Sequence, residues 1–273
     1  MTASQNVLLV GGGKMGGALL RGWVARGLAA GNVRVIEPFE AAAEELRSEL
    51  SVSVLDGPDA LDSDFTPDVV VFAVKPQGMD EIVPAYAGIG AGGPVVLSIA
   101  AGRNIAFFEG ALGNSTPIVR TMPNTPAAVG RGITAACANR RVSEEQKAAC
   151  QSLLEAVGDV IWIDDEGQID AVTAVSGSGP AYVFYLIECM ATAGEAQGLP
   201  PKIAEKLARA TVAGSGELAR QSADAAGKLR ENVTSPGGTT AAALEVLMAD
   251  DGMNPLMNEA IAAATRRSRE LAS

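Results

Sequence analysis

Up to Ile163 the apolar residues fall in short continuous runs instead of alternating with polar ones. Val7-Leu8-Leu9-Val10, Val33-Arg34-Val35-Ile36, Asp68-Val69-Val70-Val71-Phe72-Ala73-Val74, Pro94-Val95-Val96-Leu97-Ser98-Ile99 and Pro117-Ile118-Val119-Arg120-Thr121 are the clearest. Runs of this kind read as parallel strands buried on both faces. Shorter strands are expected at Val52-Ser53-Val54, around Ile133 to Cys137 and at Val160-Ile161-Trp162-Ile163. Between them lie stretches of helical period: Lys14 through Leu20, Trp23 and Val24, then Glu40 to Leu50, about Asn104 to Leu112, and Ser143 to Val157. Ser143 and Gln146 have the spacing of a capping box. Residues 55 to 67, with Gly57, Pro58 and Pro67, read as a connection. Strand alternating with helix predicts an α/β, doubly wound, mostly parallel sheet.

From Glu166 onward the pattern changes, and alanine-rich helical stretches follow one another without a strand. This predicts an all-helical second domain, dividing the chain into 1–164 and 165–273. Asp164-Asp165-Glu166 places carboxylates where a helix dipole favours them. Ser176-Gly177-Ser178-Gly179-Pro180 reads as a break, Ala181 to Ile187 starts an apolar helix, and Pro200-Pro201 opens the next. Helices are expected from Ala241 to Met248 and from Met253 to Leu271, where Arg266, Arg267 and Arg269 suit the negative end of the last.

The first strand runs into Gly11-Gly12-Gly13-Lys14-Met15-Gly16, a G-x-G-x-x-G turn opening a helix. Gly11 permits the tight turn, Gly13 lets a pyrophosphate approach the backbone, and Gly16 allows the helix close to the strand. Glu37, ending the second strand, is the acidic residue expected about 20 positions on, where it would hydrogen-bond a ribose 2′-OH. Loops at the carboxyl ends of such strands face the ligand crevice, which singles out Ala73 through Gln77, Ala100-Ala101-Gly102 and Met122-Pro123-Asn124-Thr125-Pro126. A second informative loop, Asn232-Val233-Thr234-Ser235-Pro236-Gly237-Gly238-Thr239-Thr240, precedes a helix. It is either a side-chain-capped helix start or a cradle of N–H groups for an anion such as a carboxylate.

Composition narrows the chemistry. The 273 residues are 48% hydrophobic, enough for two cores, and contain no apolar run of the length a membrane span needs. The net charge of −11, with scattered Lys and Arg, argues against nucleic acid and anionic membrane as partners. The start of the chain lacks the basic and apolar regions of a signal peptide, so the cytoplasm is expected. Cys137, Cys150 and Cys189 lack metal or redox spacing and read as reduced core thiols. Histidine is absent, which removes His-based nucleophile schemes, the usual zinc sites and a His general acid.

Three stretches together resemble the pyrroline-5-carboxylate reductase family. They are the glycine-rich start with Phe72-Ala73-Val74-Lys75-Pro76, the segment Arg120 to Pro126, and Ala174 to Tyr182 with Leu229 to Thr240. The Ser-Pro-Gly-Gly-x-Thr element is the most diagnostic, and the matches span nearly the whole chain. The resemblance implies a Rossmann-like domain followed by a helical substrate-binding and dimerisation domain. It implies hydride transfer from NADPH or NADH to the C=N carbon of 1-pyrroline-5-carboxylate, giving L-proline. It places Gly11 to Gly16 on the pyrophosphate and Ala73, Val74, Lys75, Pro76, Ile99, Ala100, Ala101, Pro123 and Asn124 at the nicotinamide end. Glu166 and Asn232 match positions approaching the cofactor. Val233, Ser235, Gly237, Gly238, Thr239 and Thr240 match the substrate loop, with Thr240 near the imine nitrogen. The resemblance also implies a homodimer interlocked through the C-terminal helices, with a ring of dimers left open. Glu37-Pro38-Phe39-Glu40 departs from the family's common pattern and leans toward NADH, because a carboxylate repels a 2′-phosphate. A hydroxyacid dehydrogenase of the 6-phosphogluconate type, a reductase of six-membered imines and a non-catalytic nucleotide-binding regulator are the rival readings. The first would need a lysine-bearing helical motif that is missing between Ser176 and Gln197.

Overall fold

In the computed structural model, which describes residues 5–90 and 93–272, eight strands form one sheet in the order β3-β2-β1-β4-β5-β6-β7-β8. They are β1 (Val7–Val10), β2 (Val33–Ile36), β3 (Ser53–Leu55), β4 (Val69–Phe72), β5 (Val95–Ser98), β6 (Ile118–Met122), β7 (Gly132–Ala138) and β8 (Gly158–Trp162). From β3 across to β6 every pairing is parallel. β7 turns against β6, with Met122 opposite Ala135, and β8 then pairs parallel with β7. The polarity of this last pair is a feature of the sheet that runs of apolar residues cannot convey.

The sheet is covered on both faces, which is why its central strands carry no polar alternation. Val7 and Leu9 point to a layer containing Leu19, Leu20 and Trp23 of the helix Lys14–Ala25, Leu46 of the helix Glu40–Leu50, and Leu153 and Leu154. Leu8 and Val10 point to the opposite layer, with Phe72, Met79, Val83, Tyr86, Phe108 and Leu112. Met79, Val83 and Tyr86 come from short helical turns between Pro76 and Gly90 that the periodicity of the sequence does not announce, since each turn is too short to repeat. The helix Glu144–Leu154 starts at Ser143 with both halves of the predicted capping box formed. Cys137 and Cys150 are buried, and burial pushes the Cys150 thiol up to about 12. Cys189, in contrast to the expected core thiol, is exposed on a helix in which no residue is fully buried.

Two compact units result. One runs to Gly177 and takes back the chain from Thr265; the other is Ser178–Ala264. The expected division at 164 therefore lies ahead of the geometric one. Glu166–Gln168, Ile169–Val172 and the π-helical turn Thr173–Gly177 stay with the sheet, where Ile169 and Ala174 are buried. The break expected at Ser176 to Pro180 narrows to Ser178, which follows the π turn and is the N-cap of the helix Gly179–Ala196. Asp170 accepts from Ser268 and pairs with Arg269 at 3.8 Å, so Arg269 binds a carboxylate on another helix as well as suiting the end of its own. The second unit consists of Gly179–Ala196, Pro201–Gln221, Ala226–Asn232, Thr239–Leu247 and most of Met253–Ala272. No helix among the described residues is long and apolar enough to cross a membrane, and no group of three or more His, Cys, Asp and Glu among them could hold a metal ion.

Trp23 joins two helices of one layer, Lys14–Ala25 and Glu144–Leu154, because its fully buried indole N–H donates to the Leu153 carbonyl at 2.9 Å. Trp23→Phe keeps most of the apolar contact and removes the donor. It is expected to cost about 1–3 kcal/mol, the penalty for a buried polar group left unpaired. Urea unfolding of both proteins at equal concentration measures it.

Candidate functional site

The turn after β1 depends on the side chains its glycines lack. Gly11 has φ +101° and donates to the Ile36 carbonyl at 2.9 Å. A Cβ there would lie 2.8 Å from Val74 Cγ1 and 2.9 Å from the Ala73 carbonyl, so the chain passes directly against the residues that follow β4. At Gly16 a Cβ would run into the Gly11 carbonyl oxygen, which confirms the close helix-to-strand packing. At Gly13 it would meet nothing within 4 Å. Gly13 is the N-cap of Lys14–Ala25, no side chain caps it, and the first turn holds no acidic residue. The positive end of a helix is thus bare in open space, beside exposed Lys14 and half-buried Met15. These residues fit a dinucleotide pyrophosphate.

Glu37 is 6% exposed and faces the glycine turn. Its Oε2 accepts the Gly12 N–H at 2.8 Å and its Oε1 accepts the Phe39 N–H at 3.0 Å. A carboxylate has about four acceptor positions, which leaves two for hydroxyls of a ligand. The nearby cation Arg47 is occupied by Glu40 at 2.8 Å, Glu44 at 3.6 Å and the Val54 carbonyl. The end of β2 is accordingly an acidic place.

At the carboxyl ends of β4 and β5, Ala73 donates to Val10 at 2.8 Å and Ile99 to Phe72 at 3.1 Å, which continues the sheet into the loops. Ile99, Ala100 and Pro123 are buried; Val74 and Pro76 are half-buried; Lys75 and Ala101 are exposed. Arg103, absent from the residues expected at the site, ties two of these loops together. Its guanidinium donates to the Pro76 carbonyl from Nε and Nη2 at 3.4 and 3.3 Å, pairs with Asp80, and lies 4.6 Å over the Phe107 ring. A single arginine after a glycine carries no motif, so only the fold reveals it.

Asn124 and Glu166 have structural partners that their local sequence does not announce. Asn124 Oδ1 accepts from Ile133 N–H at 3.0 Å and Nδ2 donates to the Ser176 carbonyl at 3.3 Å, fixing the Met122 to Pro126 loop. Glu166 Oε1 accepts from Arg120 Nη1 at 2.7 Å and from Ile105 N–H at 2.8 Å. Arg120 is 6% exposed, and its Nε has no partner. Removing Glu166 would leave this guanidinium buried without its counter-ion, the costly half of such a pair.

In the second unit, Asn232 ends the helix Ala226–Asn232, and the next helix is Thr239–Leu247, beginning two residues before the expected Ala241. Thr239 and Thr240 therefore sit in its first turn. Gly237 has φ +68°, Gly238 donates to the Ser235 carbonyl at 3.0 Å, and Thr234 Oγ1 donates to the Arg230 carbonyl at 2.7 Å. Gly238 is the N-cap, with no side-chain cap and no acidic residue in the first turn. Of the two readings of this loop, the uncapped start favours the cradle, since its first N–H groups remain for an anion. Asn232, Val233, Ser235, Gly237 and Thr239 are exposed; Gly238 and Thr240 are half-buried.

Residues 166–271 match the family model for pyrroline-5-carboxylate reductase dimerisation, and residues 6–102 match that for coenzyme F420-dependent NADP oxidoreductases. A pyrroline-5-carboxylate reductase of Pseudomonas aeruginosa is 40% identical over 99% of this chain and 98% of its own. Among solved structures, a pyrroline-5-carboxylate reductase of Coxiella burnetii superposes with a TM-score of 0.93 at 35% identity, covering 99% of both chains. A pyrroline carboxylate reductase of Plasmodium falciparum with NADP bound gives 0.82 at 28% identity, covering both chains fully. Identity at this level over nearly the whole chain settles the family: the chain belongs to the pyrroline-5-carboxylate reductases and is a nicotinamide-dependent oxidoreductase that reduces 1-pyrroline-5-carboxylate to proline.

Proposed function

We propose that this reductase uses NADH in preference to NADPH, works in the cytoplasm, and acts as a homodimer whose C-terminal helices interlock. The cofactor preference is supported above all by Glu37, whose carboxylate is held by the Gly12 and Phe39 N–H groups. A carboxylate so held accepts from a free 2′-OH and repels a phosphate there. Arg47, bound to Glu40 and Glu44, is not left to compensate.

A bound reduced nicotinamide supplies the hydride. Gly11 to Gly16 receive the pyrophosphate, while Ala73 to Pro76, Ile99 to Ala101 and Pro123 shape the nicotinamide end, with Arg103, Asn124 and Glu166 holding those loops in place. The uncapped start of Thr239–Leu247, with Ser235, Gly237 and Gly238 before it, holds the substrate carboxylate. Oriented N–H groups can do this without a lysine or arginine, as suits a protein of net charge −11. The substrate supplies its own electrophile. Its ring nitrogen arrives protonated as an iminium, the hydride adds to carbon, and the C=N electron pair becomes the lone pair of the proline amine. Thr240 orients that nitrogen and at most relays a proton, so positioning carries most of the acceleration, and the lack of histidine is no obstacle.

The helical unit supports self-association. Phe184, Tyr185, Ile203 and Leu207 are at least half exposed, and only Ala204 and Ala208 of Pro201–Gln221 are buried. An apolar surface of this kind is covered in a stable protein. Assembly of dimers into a ring is the natural extension.

Three measurements test these statements. Initial rates with both cofactors are expected to give the higher kcat/KM for NADH, and Glu37→Ala to narrow the ratio by about tenfold, the value of one hydrogen bond to a charged group; a wild-type preference for NADPH refutes the Glu37 reading. Thr240→Ala is expected to lower kcat/KM for the imine by about 10- to 1000-fold, and an unchanged value removes its role. Light scattering at micromolar protein is expected to give at least twice the 27.8 kDa chain mass.

A further inference from the structure

Phe39 is out of place by every local rule. It occupies the N-cap of the helix Glu40–Leu50 and makes no side-chain cap. Ser, Thr, Asp or Asn there would be worth about 0.5–2 kcal/mol over a residue that cannot cap. Its ring is 76% exposed, the highest value among the exposed large hydrophobic residues described. The other phenylalanines of the first unit all have partners: Arg34 lies over Phe65, and Phe72, Phe107 and Phe108 pack with one another and with Tyr86.

The main chain that carries the exposed ring is nevertheless firmly held. Pro38 precedes it, its N–H donates to Glu37 Oε1 at 3.0 Å, and its carbonyl accepts from Ala42 and Ala43, both at 3.0 Å. It stands at the carboxyl end of β2, on the crevice edge of the sheet, one hydrogen bond from the carboxylate that addresses the ribose. A sequence that breaks a local rule without a local gain is expected to do so at a functional position.

We propose that Phe39 is the stacking platform for the adenine base of the dinucleotide, so that Glu37 and Phe39 together read the adenosine half of the cofactor. The base leaves the ribose at C1′, the carbon next to the one bearing the 2′-OH, so a group two residues beyond Glu37 is placed to meet it. The ring buries its exposed face only when the base is present. Phe39 rests on the nucleotide site at β2 but not on the choice between NADH and NADPH, because adenine is common to both.

Calorimetric titration of the full-length protein with 5′-AMP, 2′,5′-ADP and nicotinamide mononucleotide separates the two residues. Base stacking is worth about 1–3 kcal/mol, so Phe39→Ala is expected to weaken 5′-AMP and 2′,5′-ADP alike by about 5- to 150-fold. Nicotinamide mononucleotide should be unaffected, and Phe39→Trp should restore the adenine ligands. Glu37→Ala instead changes the ratio of the two adenine ligands, so failure of one reading does not resemble failure of the other. Unchanged 5′-AMP binding by Phe39→Ala, or a loss that Phe39→Trp does not recover, overturns the proposal. So does a fall in oligomer mass on Phe39→Ala, which would make the ring a protein contact.

Discussion

The approach of main chain to main chain at the first turn is the constraint on which the first unit depends. Gly16 lies against the Gly11 carbonyl, and Gly11 in turn passes the Ala73 carbonyl, with no Cβ between them. This closeness sets the helix Lys14–Ala25 directly over the ends of β1 and β4. Its uncapped start is thereby exposed where the strands end, and Trp23, further along, reaches Leu153 in the same layer. A methyl group at either glycine would force the helix away and move the anion site with it. The three glycines thus differ: a Cβ at Gly11 or Gly16 would strike protein, whereas at Gly13 it would meet open space.

Around this fixed turn the crevice is held by side chains that bind loops to one another. Glu37 grips Gly12 and Phe39, Arg103 grips Pro76 and Asp80, Asn124 joins Ile133 to Ser176, and Glu166 joins Arg120 to Ile105. Most of these bonds end on main-chain groups, so side chain and backbone satisfy one another near the core. The result is a set of loops held in fixed relation at the carboxyl ends of the strands.

The helical unit is built on different contacts. Its helices carry large apolar residues on exposed faces and bury chiefly alanine within the chain. Its loop before Thr239 uses the same device as the first turn, a helix start with no side-chain cap and glycine at the N-cap. An anion held at such a terminus needs no cationic side chain, which suits an acidic protein.

Much of this was legible in the sequence, because the signals are local. Apolar runs bounded by turns mark the strands, the capping box at Ser143 marks a helix start, and three glycines mark the anion turn, since each depends on residues a few positions apart. The resemblance of Ser235 to Thr240 and its companion stretches to a known family was likewise contained in the linear order. What only the tertiary structure decided rests on residues far apart in the chain: the reversal of β7 and β8, the pairing of Arg120 with Glu166 across 46 positions, the clamp of Arg103 on Pro76, and the bond from Glu37 to Gly12. Likewise, Cys189 and its helix could read as core from their apolar neighbours, yet the chain alone leaves them exposed. Periodicity tells which residues seek burial; which surface buries them, and which polar atom meets which, depends on a geometry that only the assembled layers possess.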